Sequence, residues 1–302
     1  MDFQSLCAAY LTFLSQRSSY ANTVRLHRQF FSTWHDHPTK ADILTWHRDH
    51  SATPGHANKG LAFLKAMYNW AINDPRPKWT QANPAAGIRR YKPNARERAM
   101  ASYELRTLLQ SLDFVTPKFA AFLIVLLTTG CRMGEARKMR WEHVDLVNGC
   151  WLKPTTKNGK PQRIPLPRQA CQALQKVPRE SFFVFTGHYG NGWSRAAAEK
   201  SWLLFRKVLR LDDVTLHDFR RTVASRLYAQ EKDLMLVKAC LNHYDGSATG
   251  VYVRLQFDML ATALQKHADS LYGLVSHIPA SFPVNEHDQK DRLVDQVNGI
   301  LA

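Results

Sequence analysis

Residues 119–141 read FAAFLIVLLTTGCRMGEARKMRW. From Phe119 to Thr128 no charge interrupts the apolar pattern, so a helix there is buried on all sides. The apolar run Phe119–Leu127 is far too short to span a bilayer. Thr129-Gly130 stops it, and a second, short helix runs from Met133 to Met139. Arg132 and Glu135 stand at i, i+3 and become neighbours on one helical face, where the carboxylate can hold the guanidinium in one orientation. A buried helix, a glycine stop and an Arg–Glu pair mark the centre of a mostly helical domain.

Outward from this centre the pattern stays helical, with one break. Ser102–Leu112 precedes it as a helix, with Ser102 as N-cap and Glu104 in the first turn, where the helix dipole favours a carboxylate. Residues 149–166, GCWLKPTTKNGKPQRIPL, switch to a strand reading, and Asn158-Gly159 is a two-residue hairpin turn signal. Helices resume at Arg168–Lys176, Ala196–Val208, His217–Ala229, Leu234–Cys240 and Asp258–Tyr272. Before residue 92 four more amphipathic segments follow one another: 4–15, 21–34, Thr39–His50 with Thr39 as N-cap, and His56–Ile72 with Leu61, Leu64, Met67, Tyr68 and Ala71 inside. Pro75, Pro77, Pro84 and Pro93 end helical structure. The expected architecture is mainly α with a small antiparallel β-sheet. It comprises a helical domain over residues 1–92, a basic linker at 93–100, a second domain over 101–275 and a tail at 276–302. Leu293, Val294, Val297, Ile300 and Leu301 in that tail fall at helical spacing, for docking on its own core or on a neighbour.

The 302 residues carry 41 Lys/Arg against 25 Asp/Glu, a formal charge of +16. Such a surplus attracts polyanions, nucleic acid or an anionic membrane surface. The first 92 residues hold 12 basic and 5 acidic side chains, so the shorter part is the more densely basic. Five widely spaced cysteines without a C-x-x-C indicate neither a disulfide framework nor a zinc site, and reduced thiols in the cytoplasm are the expectation. The apolar N-terminus lacks the basic stretch of a signal peptide. No P-loop and no G-x-G-x-x-G occurs. His35, His37, His47 and His50 lie near Asp36, but without cysteine or H-E-x-x-H a metal cluster is not expected. Trp70, Trp79, Trp141, Trp151 and Trp202 read as core anchors.

Four segments can carry chemistry. The first is the Arg132–Glu135 pair. The second is the hairpin tip TTKNGK, which sets Lys157 and Lys160 across a turn from each other. The third is LHDFRRT, with His217 and Arg220 at i, i+3 on the edge of a stripe formed by Leu216, Phe219, Val223 and Leu227. The fourth is LNHYDGSATGVYVR, with His243 nine residues before Tyr252. Each has a plain alternative: a surface ion pair, a solvated lysine, a chance His-x-x-Arg, a core tyrosine. Their joint occurrence, in this order and in a basic chain, is what makes them specific.

TTGCRMGEARKMRWEHVDL, HDFRRTVASRL and LNHYDGSATGVYVR together resemble the tyrosine recombinases, in particular the phage-type integrases. The resemblance covers about residues 4–255. One departure is Asn242, where the family usually has glycine. Tyr10, Thr23, Asn58 and the stretch Asn83-Pro84-Ala85-Ala86-Gly87 resemble the family's helical core-binding domain, and its helices begin so close to Met1 that a further arm-binding domain is expected to be absent. The resemblance implies a C-shaped clamp on double-stranded DNA. In that clamp Tyr252 is the nucleophile that forms a 3′-phosphotyrosyl link. Arg132, Arg220, His217 and His243 bind the phosphate, Lys157 is the general acid with Lys160 as runner-up, and Glu135 orients its neighbours. Basic residues Arg89, Arg90, Lys92, Arg96 and Lys160 would lie along DNA. Metal, ATP and other cofactors are not needed. The implied assembly is a homo-tetramer on paired sites, helped by accessory DNA-bending or directionality factors, in the bacterial cytoplasm or nucleoid and away from membrane. Integration or excision of a mobile element is the leading activity; Xer-like dimer resolution and type IB topoisomerase-like relaxation share its chemistry. A non-catalytic DNA-binding regulator is the reading of another class, and the complete set of candidate residues argues against it.

Overall fold

Asp2 opens the first helix: its carboxylate accepts from the Ser5 backbone N–H at 2.8 Å, and α1 runs Phe3–Ser15. The computed structural model describes residues 1–16, 21–77, 79–92, 96–154, 161–187, 190–242 and 257–275. Helices α2 (Ala21–Phe31), α3 (Lys40–Asp49) and α4 (Pro54–Asn73) follow. Thr39 and Asp42 cap α3 reciprocally, and Pro54 starts α4 at a position where a missing N–H costs nothing. Phe3, Leu6 and Tyr10 of α1 meet Leu61, Leu64, Met67 and Tyr68 of α4 in one buried cluster. Gly60 makes that packing possible, since a Cβ there would stand 2.3 Å from the Trp46 ring and 2.6 Å from that of Phe30.

The proline-rich stretch after α4 does not leave this unit. Ala85 and Ile88 are buried in its core, and Lys65 Nζ donates to the Ile88 carbonyl at 2.8 Å. Asn58 pairs with both backbone groups of Tyr91, at 2.8 and 2.9 Å. The Tyr91 ring stacks on His47 at 4.2 Å. Arg89, Arg90 and Lys92 are exposed on this fastened strap. The chain divides into two units, Met1–Arg96 and Glu97–Ala302.

The second unit contains α5 (Ser102–Gln110), α6 (Pro117–Thr129), α7 (Met133–Ala136), β1 (Val144–Asp145), β2 (Cys150–Lys153), β3 (Gln162–Pro165), α8 (Arg168–Gln175), α9 (Arg195–Val208), α10 (Leu216–Glu231), α11 (Leu234–Cys240) and α12 (Phe257–Gly273). Helix α6 is its axis. Thr116 caps it, Pro117 starts it, and Phe119 and every residue from Ala121 to Thr129 are buried. Helices α8, α10 and α12 pack around it. Phe119 and Phe122 meet Phe205, Phe185 and Trp193 edge to face. Gly130 ends α6 with φ +63°, in the left-handed region, and a Cβ there would also press 3.0 Å against Val223 of α10. The strands form one antiparallel sheet in the order β1-β2-β3, with Trp151 opposite Ile164 and Lys153 opposite Gln162.

Several local expectations change. The cap of α5 is Ala101, because Glu104 turns back to accept from the Ala101 N–H at 2.7 Å and is gripped by the Arg98 guanidinium, which also holds Asp213. Helix α7 stops at Ala136, and β1, a two-residue strand, escapes periodicity altogether. The Asn158-Gly159 turn and the tail at 276–302 lie outside the described residues. All five cysteines are free and buried. Trp151 and Trp202 are buried as expected, while Trp70, Trp79 and Trp141 pack half-buried against the core clusters.

Candidate active site

The stop at Gly130 reverses the chain, and Arg132 follows two residues later at the start of α7. Its backbone N–H donates to Glu135 Oε2 and its Nη1 to Glu135 Oε1, both at 3.1 Å. Glu135 has a further partner: Lys153 Nζ, at the end of β2, donates to Oε2 at 3.0 Å. Burial pushes the Glu135 carboxyl up, but the Lys153 ammonium and the Arg132 donors outweigh it and hold the group below its ordinary range.

Arg220 approaches from α10. Thr215 and Asp218 cap that helix, with the Asp218 carboxylate accepting from the Thr215 N–H and hydroxyl. Leu216, Phe219, Val223 and Leu227 are buried, as the stripe predicts. Arg220 is buried with them rather than lying at the edge, whereas His217 is exposed. The Arg220 fork explains this. Nη1 donates to the Gly130 carbonyl at 2.8 Å, and Nη2 donates to that of Leu241. It thereby joins the end of α6 to the end of α11. Burial and then the neighbouring Arg132 charge push its pKa down, from the far-alkaline range in which a guanidinium normally stays charged. Although His217 is largely open to solvent, partial desolvation comes first among the causes that lower its pKa, followed by the charges of Arg221 and Arg220 with Arg132 contributing and Asp218 opposing, and the lowering favours the neutral imidazole.

Arg132, Glu135, Arg220 and His217 thus share one electrostatic neighbourhood. It holds two guanidiniums whose like charges act on each other, an arrangement suited to a bound anion. Cys131 and Cys240 lie beside it, their thiols raised by burial to about 11 and about 12, and so remain protonated. Cys240 Sγ donates to the Thr129 carbonyl at 3.4 Å, a further tie between α11 and α6. Asn242, just after α11, has φ +48°. That is the left-handed region where glycine is the default and asparagine the best-tolerated substitute. Lys157, Lys160, His243 and Tyr252 lie outside the described residues. Their flanks do not: Lys153 and Gln162 pair at the hairpin base, while Asn242 and Phe257 bound the segment that carries His243 and Tyr252.

Lys153 is the site residue that sequence reasoning missed. A signal was present: Trp151 and Lys153 share one face of β2, and an ammonium on the buried face of a strand demands an anion.

The phage integrase family profile matches residues 98–259, more than half of the chain. The chain belongs to this family of tyrosine recombinases. Over 210 residues it is 29% identical to a shufflon-specific DNA recombinase of Escherichia coli, an alignment spanning 68% of this chain and 52%, about half, of that relative. Over 215 residues it is 30% identical to the tyrosine recombinase XerC of Pseudomonas entomophila strain L48, spanning 67% of this chain and 70% of XerC. Among solved structures it shares the fold of a lambda integrase dimer bound to a COC′ core site, with TM-score 0.64, 17% identity and coverage of 80% of this chain and 95% of that one. The Tn1549 transposon integrase in complex with circular intermediate DNA matches at TM-score 0.61 and 17% identity, covering 87% of this chain and 98% of that one. In this family member, among the described residues, no group of His, Cys, Asp and Glu could hold a metal ion, and no helix is long and apolar enough to cross a membrane.

Proposed function

We propose that this tyrosine recombinase is a site-specific integrase that breaks and rejoins double-stranded DNA through a 3′-phosphotyrosyl link and inserts or excises a mobile element. The observation that carries the reading is the pair Arg132 and Arg220, set on separate elements around the Gly130 turn with His217 beside them. Tyr252 attacks the scissile phosphorus and displaces the 5′-oxygen. A phenol with an ordinary pKa near 10 is a poor nucleophile at neutral pH. A neutral His217 can accept its proton. Arg132, Arg220 and His243 stabilise the charge that grows on the non-bridging oxygens. Lys157, with Lys160 as the alternative, protonates the leaving oxygen. The arginines supply the charge that divalent ions supply in a nuclease, and the link conserves the bond energy for religation, so neither metal nor ATP has a step to perform. Arg89, Arg90, Lys92 and Arg96 supply phosphate contacts whose affinity falls with salt. Residues 1–92 act as the core-binding domain and 101–275 as the catalytic domain. A tetramer on paired sites carries out strand exchange, with the tail at 276–302 docking on the neighbouring subunit and DNA-bending or directionality factors biasing the outcome.

The similarity to XerC supports a second reading, resolution of replicon dimers. A two-site plasmid separates the two: resolution acts on two identical sites, whereas integration joins two different ones.

The test is incubation with a nicked suicide duplex carrying the sequence that flanks the gene. Wild-type protein is expected to give a denaturant-resistant protein–DNA band, and Tyr252→Phe to lose the band while still shifting the duplex in a native gel. A band that persists in Tyr252→Phe removes Tyr252 from the nucleophile role.

A further inference from the structure

Lys153 is a buried cation for which the reaction above has no use. Its side chain is 6% exposed, and its ammonium sits 3.0 Å from Glu135 Oε2. The same carboxylate takes only Nη1 from the Arg132 fork, leaving the other guanidinium N–H groups uncommitted to it.

We propose that Lys153 is a positioning residue for strand cleavage: by neutralising and anchoring Glu135 it keeps the charge and the fork of Arg132 directed at the scissile phosphate. The inference rests on the recombinase reading of the site. The argument is first one of charge. Lys153 and Glu135 cancel, so Arg132 presents a full positive charge to the phosphate. Without Lys153 the carboxylate cancels Arg132 instead, and one unit of charge is lost where the transition state needs it. The second argument is geometric. A carboxylate and a guanidinium left alone in a poorly solvated site favour two parallel hydrogen bonds. That pairing draws the fork inward, away from DNA. The Lys153–Glu135 pair also fastens the base of the β2–β3 hairpin to the Arg132 turn, because Lys153 stands opposite Gln162 in the sheet.

The experiment uses full-length protein and the suicide duplex, read as single-turnover cleavage and native-gel affinity. Lys153→Met is expected to slow cleavage by about 10²-fold, the scale of one lost transition-state donor, with affinity unchanged within about twofold. Lys153→Arg restores most of the rate. Adding Glu135→Gln to Lys153→Met removes the uncompensated carboxylate and recovers rate relative to the single variant, which also shows that the single variant's loss is not misfolding. Replacing the scissile phosphate with a methylphosphonate, which carries no charge, narrows the gap between wild type and Lys153→Met. A Lys153→Met protein that cleaves as wild type does overturns the inference. So does full rescue by a substrate with a 5′-bridging sulfur, which needs no general acid and would place Lys153 at the leaving group. If wild type itself forms no adduct, the recombinase reading falls and takes the inference with it; if wild type cleaves and the variants fail these patterns, the inference alone falls.

Discussion

Arg132 and Arg220 are expected to grip the same phosphate, yet they are held in opposite ways. Arg220 is 5% exposed and is fixed by backbone carbonyls at the ends of two helices. Arg132 has a side chain 35% exposed and is fixed by a carboxylate, itself balanced by a lysine. Carbonyls hold a guanidinium without neutralising it, so Arg220 can be buried at full charge. A carboxylate holds more strongly but subtracts charge, which is why the Arg132 arrangement requires Lys153. One arginine is therefore part of the fold, and the other sits upon it.

This contrast breaks most easily at Arg220. Arg220→Met removes a donor from two buried carbonyls, at about 1–3 kcal/mol for each. It should abolish adduct formation and lower the urea midpoint together. Arg132→Met should cost cleavage about 10³-fold. Its stability should stay within about 1 kcal/mol of wild type, because Lys153 still neutralises the half-buried Glu135 when the half-exposed Arg132 side chain is removed. If urea titrations show equal destabilisation for the two, the distinction between a structural and a mounted arginine is wrong.

The α6 end that receives Arg220 is also fastened by His267 of α12, whose Nε2–H donates to the Leu127 carbonyl at 2.9 Å. Burial holds this imidazole down at about 4, the backbone bond opposes that, and the Arg226 charge adds to it. The folded protein therefore keeps His267 neutral where the unfolded chain protonates it, so stability is full above about pH 6.5 and is lost as pH falls toward 4. A shift of that size amounts to about 3 kcal/mol. His267→Gln can keep the bond to Leu127 and cannot titrate, so its urea midpoint should vary less over that interval. An unchanged pH dependence in His267→Gln would show that other groups set the acid limit of the fold.

The two arginines also show what could be read from residue order. The buried α6, its glycine stop, the apolar stripe of α10 and the pairing of Arg132 with Glu135 follow from spacing alone, because each is a local pattern within a few residues. The burial of Arg220 does not. His217 and Arg220 look equivalent at i, i+3, and what separates them is the pair of carbonyls at Gly130 and Leu241, the first of them 90 residues away in the chain. The α5 cap is Ala101 rather than Ser102 for a similar reason: Glu104 is claimed by Arg98 and the Ala101 N–H, partners that the residue type at the cap does not announce. Lys153 was legible only through strand alternation, and β1, two residues long, carries no period at all.

The smallest effect is at Asn242, the residue after the Leu241 carbonyl that Arg220 grips. The Arg220 fork ends at the Leu241 carbonyl, and the next residue turns left-handed, its N–H donating to the Ala239 carbonyl at 3.0 Å. A glycine there meets the same geometry with no steric cost but leaves the unfolded chain freer, so Asn242→Gly should lie within about 1 kcal/mol of wild type in urea. Asn242→Val, β-branched and ill-suited to positive φ, should lose about 1–2 kcal/mol. The cleavage rate of Asn242→Gly should match wild type, because the residue sets backbone direction and not charge. A valine variant as stable as wild type would mean that the turn after Leu241 is not held left-handed.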